Sequence, residues 1–277
     1  MQTQPLNITG ASPLATRRLQ EYGVFPEYEI EELVDKYKLK DISAEEAADL
    51  GFTNTSNGIY IGYPQDKDSR GQRPHTLPAL YFTPTTSAES VKDQEIPLLI
   101  IEGEFKAIVT DFIVNDGLPK PTIIPVAIGG VWSWRSAKAG AELLPAFDCI
   151  TGNRPVYIAF DMDNPVNPQV QKALQRLVDK LLERTKHVRV LSWPSTEGKG
   201  LDDYLVQRPA PRDALLNLLN EAQVPGHIQR VMQMNAGYVY DKVQDMVWDF
   251  NMGGYVEPQT FKNHYCTEVV KDAVPPG

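Results

Sequence analysis

An apolar run that stops on a single carboxylate constrains this chain more than any other stretch. Leu98-Leu-Ile-Ile101 is followed by Glu102-Gly103, and an amphipathic segment starts at once with Glu104-Phe-Lys-Ala107. A continuous apolar run of this length reads as a strand buried on both faces, which is the habit of parallel sheets covered by helices. The run therefore predicts a strand that carries Glu102 to its end and a helix that leaves from there.

The same grammar repeats downstream. Ile96–Ile101, Thr122–Ile128, Pro155–Phe160 and His187–Trp193 read as strands. Glu104–Val114, Ala137–Leu144, Val170–Arg184 and Arg212–Ala222 read as helices, the third with Val170, Leu174, Leu177, Val178, Leu181 and Leu182 at helical spacing. Alternation of this kind predicts an α/β fold with a central parallel sheet flanked by helices, its strand-to-helix loops gathered on one edge. In such sheets ligands bind outside the carboxyl ends of the strands. That edge would bring together Glu102, the Asp161-Met-Asp163 that follows Pro155–Phe160, and the Asp202-Asp203 of Gly198-Lys-Gly-Leu-Asp-Asp203.

The flanks read differently. Residues 1–95 form a Pro-rich α+β region with short helical periodicities over Ala11–Tyr22 and Pro26–Tyr37 and a capping-box pattern at Ser43 and Glu46. Gly51 is expected to end the helix after Ser43. A strand at Ile59–Tyr63 is expected to pair with Ala79–Phe82 across the polar Gln65–Pro78, read either as a solvated loop or as a mobile one touching nucleotide or template. Thr83–Gln94 reads as a linker joining it to residues 96–223. Residues 224–277 read as a small β-rich segment, with strands at Gly237–Tyr240 and Met246–Phe250. The ending Val274-Pro-Pro-Gly277 suggests a linker to a further domain or a chain cut short.

Composition narrows the chemistry. Two cysteines without a CxxC pair and only four histidines leave no zinc finger or disulfide framework to expect. No apolar run approaches the roughly 20 residues of a membrane span, and the N-terminus lacks a signal-peptide pattern, so a cytoplasmic protein with no membrane partner is expected. Net charge −9 argues against gripping nucleic acid by bulk electrostatics. Clustered carboxylates at about 5 Å would each repel a neighbour by roughly 3 kcal/mol at an effective dielectric near 20, so protonation or a divalent cation must relieve them. A set of oxygen donors without His or Cys selects Mg²⁺ or Mn²⁺. The metal-holding set read from the sequence is Glu102, Asp161, Asp163, Asp202 and Asp203.

The pattern resembles a known family. A strand ending in Glu102-Gly103, one ending in Gly129-Gly130 and one ending in Asp161-Met-Asp163 are similar to the TOPRIM domain of bacterial-type primases, topoisomerases and some nucleases. The wider run from Gly58-Ile-Tyr60 through Gly129-Gly-Val-Trp132 to Lys199-Gly-Leu-Asp-Asp-Tyr-Leu205 resembles the TOPRIM-like domain of unknown function found in plasmid and phage primase–helicase proteins. The resemblance implies metal-dependent primer synthesis from nucleoside triphosphates on a single-stranded DNA template, beside a replicative helicase or a further domain. It implies Glu102 as general acid or base, Asp161 and Asp163 as metal ligands, and Asp202 or Asp203 holding or orienting a second ion. A metal-dependent nuclease, or a non-catalytic module binding DNA or a helicase, is the alternative. Many primases have another acid four residues after the glutamate, where this chain has Lys106; it either contacts a phosphate or points outward. The zinc-binding module of bacterial-type primases is missing.

Other residues carry paired readings. Gly198-Lys-Gly200 is not a phosphate-binding Walker loop, lacking the earlier glycine and the following Ser or Thr. It reads as a flexible loop positioning Asp202, with Lys199 a candidate phosphate contact. Gly129-Gly130 is a turn or a place where backbone approaches phosphate. Lys172, Arg176, Lys180 and Arg184 recur every four residues, as a track for a nucleic-acid backbone or as a solvated helix face supported by Asp179 and Glu183. Trp132, Trp134 and Arg135 are placed to stack on a base or pair with phosphate, with packing beneath the sheet edge the other reading for Trp132.

Overall fold

The computed structural model describes residues 12–49, 58–61, 80–136, 142–162, 167–225, 238–241, 244–249 and 253–260. It divides into two compact units, residues 1–222 and 223–277. The first is a mixed α/β unit built on a five-stranded sheet. In chain order its described elements are helix α1 (Pro13–Tyr22), helix α2 (Ile30–Lys36), strand β1 (Leu39–Ile42), helix α3 (Ala44–Asp49), strand β2 (Gly58–Ile61), strand β3 (Leu80–Phe82) and helix α4 (Ala88–Lys92). There follow β4 (Leu98–Glu102), α5 (Glu104–Asn115), β5 (Ile124–Ile128), β6 (Arg135–Ser136), β7 (Glu142–Leu143), β8 (Val156–Ala159), α6 (Pro168–Leu182), β9 (Val188–Val190), α7 (Leu201–Val206) and α8 (Pro211–Glu221).

The sheet runs β3-β5-β4-β8-β9, parallel except for β3, which lies antiparallel to β5 on the edge. Side chains that alternate along a strand go to opposite faces. Leu98 and Ile100 therefore join one core with Leu177, Val178 and Leu181 of α6, while Leu99 and Ile101 join another with Leu201, Leu205, Leu215 and Leu218. These four β4 residues are each at most 1% exposed. Their burial is worth about 6–12 kcal/mol in transfer free energy before conformational entropy is charged.

The N-terminal helices share a core with the sheet. Ala15, Leu19, Leu33 and Tyr37 pack with Ala107, Ile108 and Val109 of α5 and with Tyr81 and Ala127 of the sheet. Buried Asp111 accepts bonds from Tyr37 Oη (3.1 Å), Thr85 Oγ1 (2.6 Å) and Asn115 Nδ2 (2.8 Å). Asp41 of β1 accepts from the amides of Leu14 (2.7 Å) and Ala15 (2.9 Å), satisfying donors at the start of α1 from a distant part of the chain. The capping box forms as expected: Ser43 N donates to Glu46 Oε2 at 2.8 Å and Glu46 N to Ser43 Oγ at 3.1 Å. The end of that helix at Gly51 lies outside the described residues.

Four expectations change. Residues 58–61 pair with β1 rather than with residues 80–82, which join β5 instead. The sheet is thus one strand wider than the apolar runs indicated and is not wholly parallel. Residues 83–94 are no open linker: Thr83 is fully buried, and Ser87 caps α4 by accepting from Ser90 N at 3.1 Å. Finally, Glu142–Leu143 pairs with Arg135–Ser136 as a strand where a helix was expected; residues 137–141 and the polar stretch 65–78 lie outside the described residues. The reason is shared, because short strands are set by their partners more than by their own pattern.

Among its described residues the second unit holds a three-stranded antiparallel sheet, β10 (Tyr238–Asp241), β11 (Met246–Asp249) and β12 (Gly254–Val256). The Trp248 and Tyr255 rings meet edge to face at 4.9 Å. Among the described residues no helix is long and apolar enough to cross a membrane.

Candidate functional site

The neighbours β4 and β8 send their helices to opposite faces: α5 packs into the core with the N-terminal helices, α6 into the core on the other side. Where adjacent parallel strands part in this way, a crevice opens outside their carboxyl ends. Glu102 closes β4 there, in register with Ile128 of β5, and Gly103 N donates to Ile128 O at 2.9 Å. Gly103 turns the chain from strand into helix at φ 96°, a conformation a side chain disfavours. Its positive φ places Glu104, Phe105 and Lys106 in the first turn of α5.

Lys106 crosses the crevice. Its Nζ forms a close ion pair with Asp161 Oδ1, just beyond the end of β8. Neither reading of Lys106 as a phosphate contact or an outward-pointing residue describes this arrangement, in which the ammonium is largely buried against an acid, with side-chain exposures of 21% and 16%. The pairing follows from strand order, since β4 and β8 are neighbours.

Asp202 approaches from a third segment. It lies in the first turn of α7 at 4% exposure, and its Oδ1 has no hydrogen-bond partner among the described residues. Burial pushes its carboxyl above the usual carboxylate range; Lys106 opposes that shift and Asp203 adds to it. Gly200 is part of the same arrangement, because a Cβ there would overlap Asp202 Oδ1 and stand 3.0 Å from Lys106 Nζ. Only a residue without a side chain lets the acid and the ammonium share this space.

The loop before α7 was expected to be flexible, and it is pinned instead. Trp193 Nε1 donates to Gly198 O at 2.8 Å, Met162 N to Lys199 O at 2.8 Å, and Arg208 pairs with Glu197. These ties hold Ser195–Glu197 as a turn of 3-10 helix. The Lys199 side chain is exposed. Asp203 is exposed as well, and its Oδ2 accepts from Gly200 N at 3.1 Å, so it caps α7 beside the crevice.

Asp163 lies outside the described residues. The structure thus brings Lys106, Asp161 and Asp202 together at the rim that Glu102 also reaches. Among the described residues no group of three or more His, Cys, Asp or Glu is placed to hold a metal ion. The donor set nonetheless fits a hard cation in kind, because Asp202 presents a buried carboxylate oxygen that no described residue satisfies. A cleft of about 230 Å³ opens beside Asp161, lined by Met162, Asn167, Val170, Gln171, Trp193 and Ser195.

One participant was missed. The Tyr22 hydroxyl, at the end of α1, lies within electrostatic reach of Asp202, and Arg18 reaches that hydroxyl with Nη2 at 3.2 Å. Burial is the larger reason that the Tyr22 phenol is pushed above its ordinary range, and the charge of Asp202 adds to it. No sequence signal marked this residue, whose helix showed only a short apolar periodicity.

The basic candidates separate. Arg135 lies over the Trp132 ring at 4.5 Å and Arg176 over the same ring at 5.8 Å. Lys172 is exposed one turn earlier on α6. Lys180 pairs with Glu183 (2.9 Å) and Arg184 with Asp148 (2.8 Å), so the far half of the row is a paired surface. Trp132, for which packing beneath the sheet edge was expected, lies against the core but is only partly buried, and it is Trp134 that is enclosed.

A family model described as a domain of unknown function (DUF3854) matches residues 88–211, which is α4 through the first residue of α8 and contains the whole crevice. No curated protein matches the chain.

Proposed function

We propose that the α/β unit is a TOPRIM-like, primase-related module of a plasmid or phage replication protein, making primers on single-stranded DNA with Mg²⁺ or Mn²⁺. The observation that carries this reading is the meeting of Lys106, Asp161 and Asp202, from three separate segments, at a sheet rim also reached by Glu102. Asp161 and Asp202 would hold the cation, joined by Asp163. When bound, such an ion polarises phosphoryl oxygens and offsets developing charge. Glu102, at the end of β4, takes the proton from the attacking 3′-hydroxyl. Lys106, paired with Asp161 in this structure, would offer its ammonium to a substrate phosphate. Tyr22 orients Asp202, and the pinned 195–200 loop keeps that acid buried.

Primer synthesis assayed with Glu102→Gln and Asp161→Asn tests the proposal. Each is expected to lose about 100-fold or more in rate, the scale of a removed acid–base group; unchanged product from both would remove the case.

The Lys106–Asp161 pair favours one rival, a non-catalytic module whose acids are neutralised by the protein itself. Calorimetric titration with Mn²⁺ separates the two, since only the enzyme should bind the ion at millimolar concentration.

A further inference from the structure

Two cations that the sequence places far apart, Arg135 in β6 and Arg176 in α6, converge on one indole. Arg135 lies 4.5 Å and Arg176 5.8 Å from the centre of the Trp132 ring. Beneath it Trp134, 2% exposed, packs at 6.4 Å and 31° to the Trp132 ring and anchors it to the core. Among the described residues neither guanidinium forms an ion pair. That stands out in a chain of net charge −9, where Arg184, just beyond the end of α6, takes Asp148 as its partner.

We propose that Trp132, Arg135 and Arg176, extended by Lys172, form a platform for single-stranded DNA. A guanidinium resting on an aromatic face keeps its in-plane N–H groups for a phosphate. The indole, held from below by Trp134, offers a π surface to an unpaired base. A duplex cannot use it, because its bases are already stacked. Lys172, on the same helix as Arg176, continues the positive track. Trp132 follows the Gly129-Gly130 turn at the carboxyl end of β5, on the rim from which Glu102 and Asp161 emerge, so a strand lying here leads to the crevice. The choice of DNA rests on the replication reading; the stacking and phosphate chemistry does not.

The test is fluorescence anisotropy of a labelled oligothymidylate in EDTA without nucleotides, so that neither metal nor catalysis enters and loss of the enzymatic reading leaves the result unaffected. The Arg135→Ala/Arg176→Ala protein should bind about tenfold or more weakly, with the slope of log K against log salt reduced by about 1.4, at roughly 0.7 per lost single-strand phosphate contact. Trp132→Ala should lose about tenfold and Trp132→Phe should recover most of it. Lys180→Ala/Arg184→Ala removes the same net charge from the far end of α6 and the turn after it, and should change affinity less than twofold. Equal losses in the two double variants, Trp132→Phe no better than Trp132→Ala, or preference for a duplex or for oligouridylate would each overturn the proposal.

Discussion

At the amino-terminal rim of the sheet, Arg154 is fully buried, and its Nε donates to Ile96 O at 2.9 Å while Nη1 reaches Val91 O and Cys149 O. At the carboxyl rim Asp202 is almost as deeply buried, and its Oδ1 finds no partner among the described residues. Both charges suffer desolvation, which lowers the pKa of Arg154 and raises that of Asp202. The difference lies in what each charge is given. Arg154 spends Nε and Nη1 tying α4, the approach to β4 and the turn at Pro145–Cys149 into one piece, and only its Nη2 lacks a partner among the described residues. Asp202 is held in place by neighbours that leave an oxygen open. One rim uses buried charge for cohesion, and the other keeps its charge available at a cost in stability, as functional sites commonly do.

The contrast breaks first at Arg154. Arg154→Ala takes the guanidinium donors from Ile96 O and Val91 O and leaves Cys149 O with Gln94 Nε2 alone; it should cost about 3–5 kcal/mol, read from the urea midpoint at constant m, and a loss under about 1 kcal/mol would mean that this rim is not held by the guanidinium. A smaller effect tests the other rim. Lys106→Met removes the positive charge that competes for Asp161, so Mn²⁺ affinity measured by calorimetry should rise about tenfold, or ~1.4 kcal/mol. Unchanged or weaker binding would show that Lys106 supports the site and does not guard it. The smallest effect sharpens the comparison. Asp202→Asn should stabilise the fold at neutral pH by about 1 kcal/mol. The sign follows from the raised pKa: the folded state holds the Asp202 proton more tightly than the unfolded one, so the wild-type penalty is absent below the ordinary carboxylate range and appears as pH rises through the raised value. Thermal melts of the two proteins should converge in acid and separate toward neutrality; a gap of constant size would assign the effect to something other than ionisation.

How much of this was legible differs by region for physical reasons. Strands β4, β5 and β8 announced themselves because a strand buried on both faces must be apolar throughout. Their parallel pairing followed, and with it the common rim for Glu102, Asp161 and Asp202, whereas the strand order came from the structure. The three-residue β3 could not be placed, since its pattern suits either partner. Lys106 was singled out correctly as an oddity, but its pairing with Asp161 depends on side-chain reach across β4 and β8, which spacing does not encode. Tyr22 was invisible for the same reason in stronger form: it touches the site only because α1 docks on α5. The basic row on α6 looked uniform along the sequence and is divided by what lies opposite, Trp132 at one end and Glu183 and Asp148 at the other.

Because the Tyr22 phenol feels the charge of Asp202, the first described helix and the crevice are energetically linked. Anything that engages the Asp202 charge alters how firmly α1 is seated, and loosening α1 must alter the avidity of the acid by the same factor. Protease sensitivity of α1 would therefore report on events in the crevice, read out at the opposite end of the polypeptide.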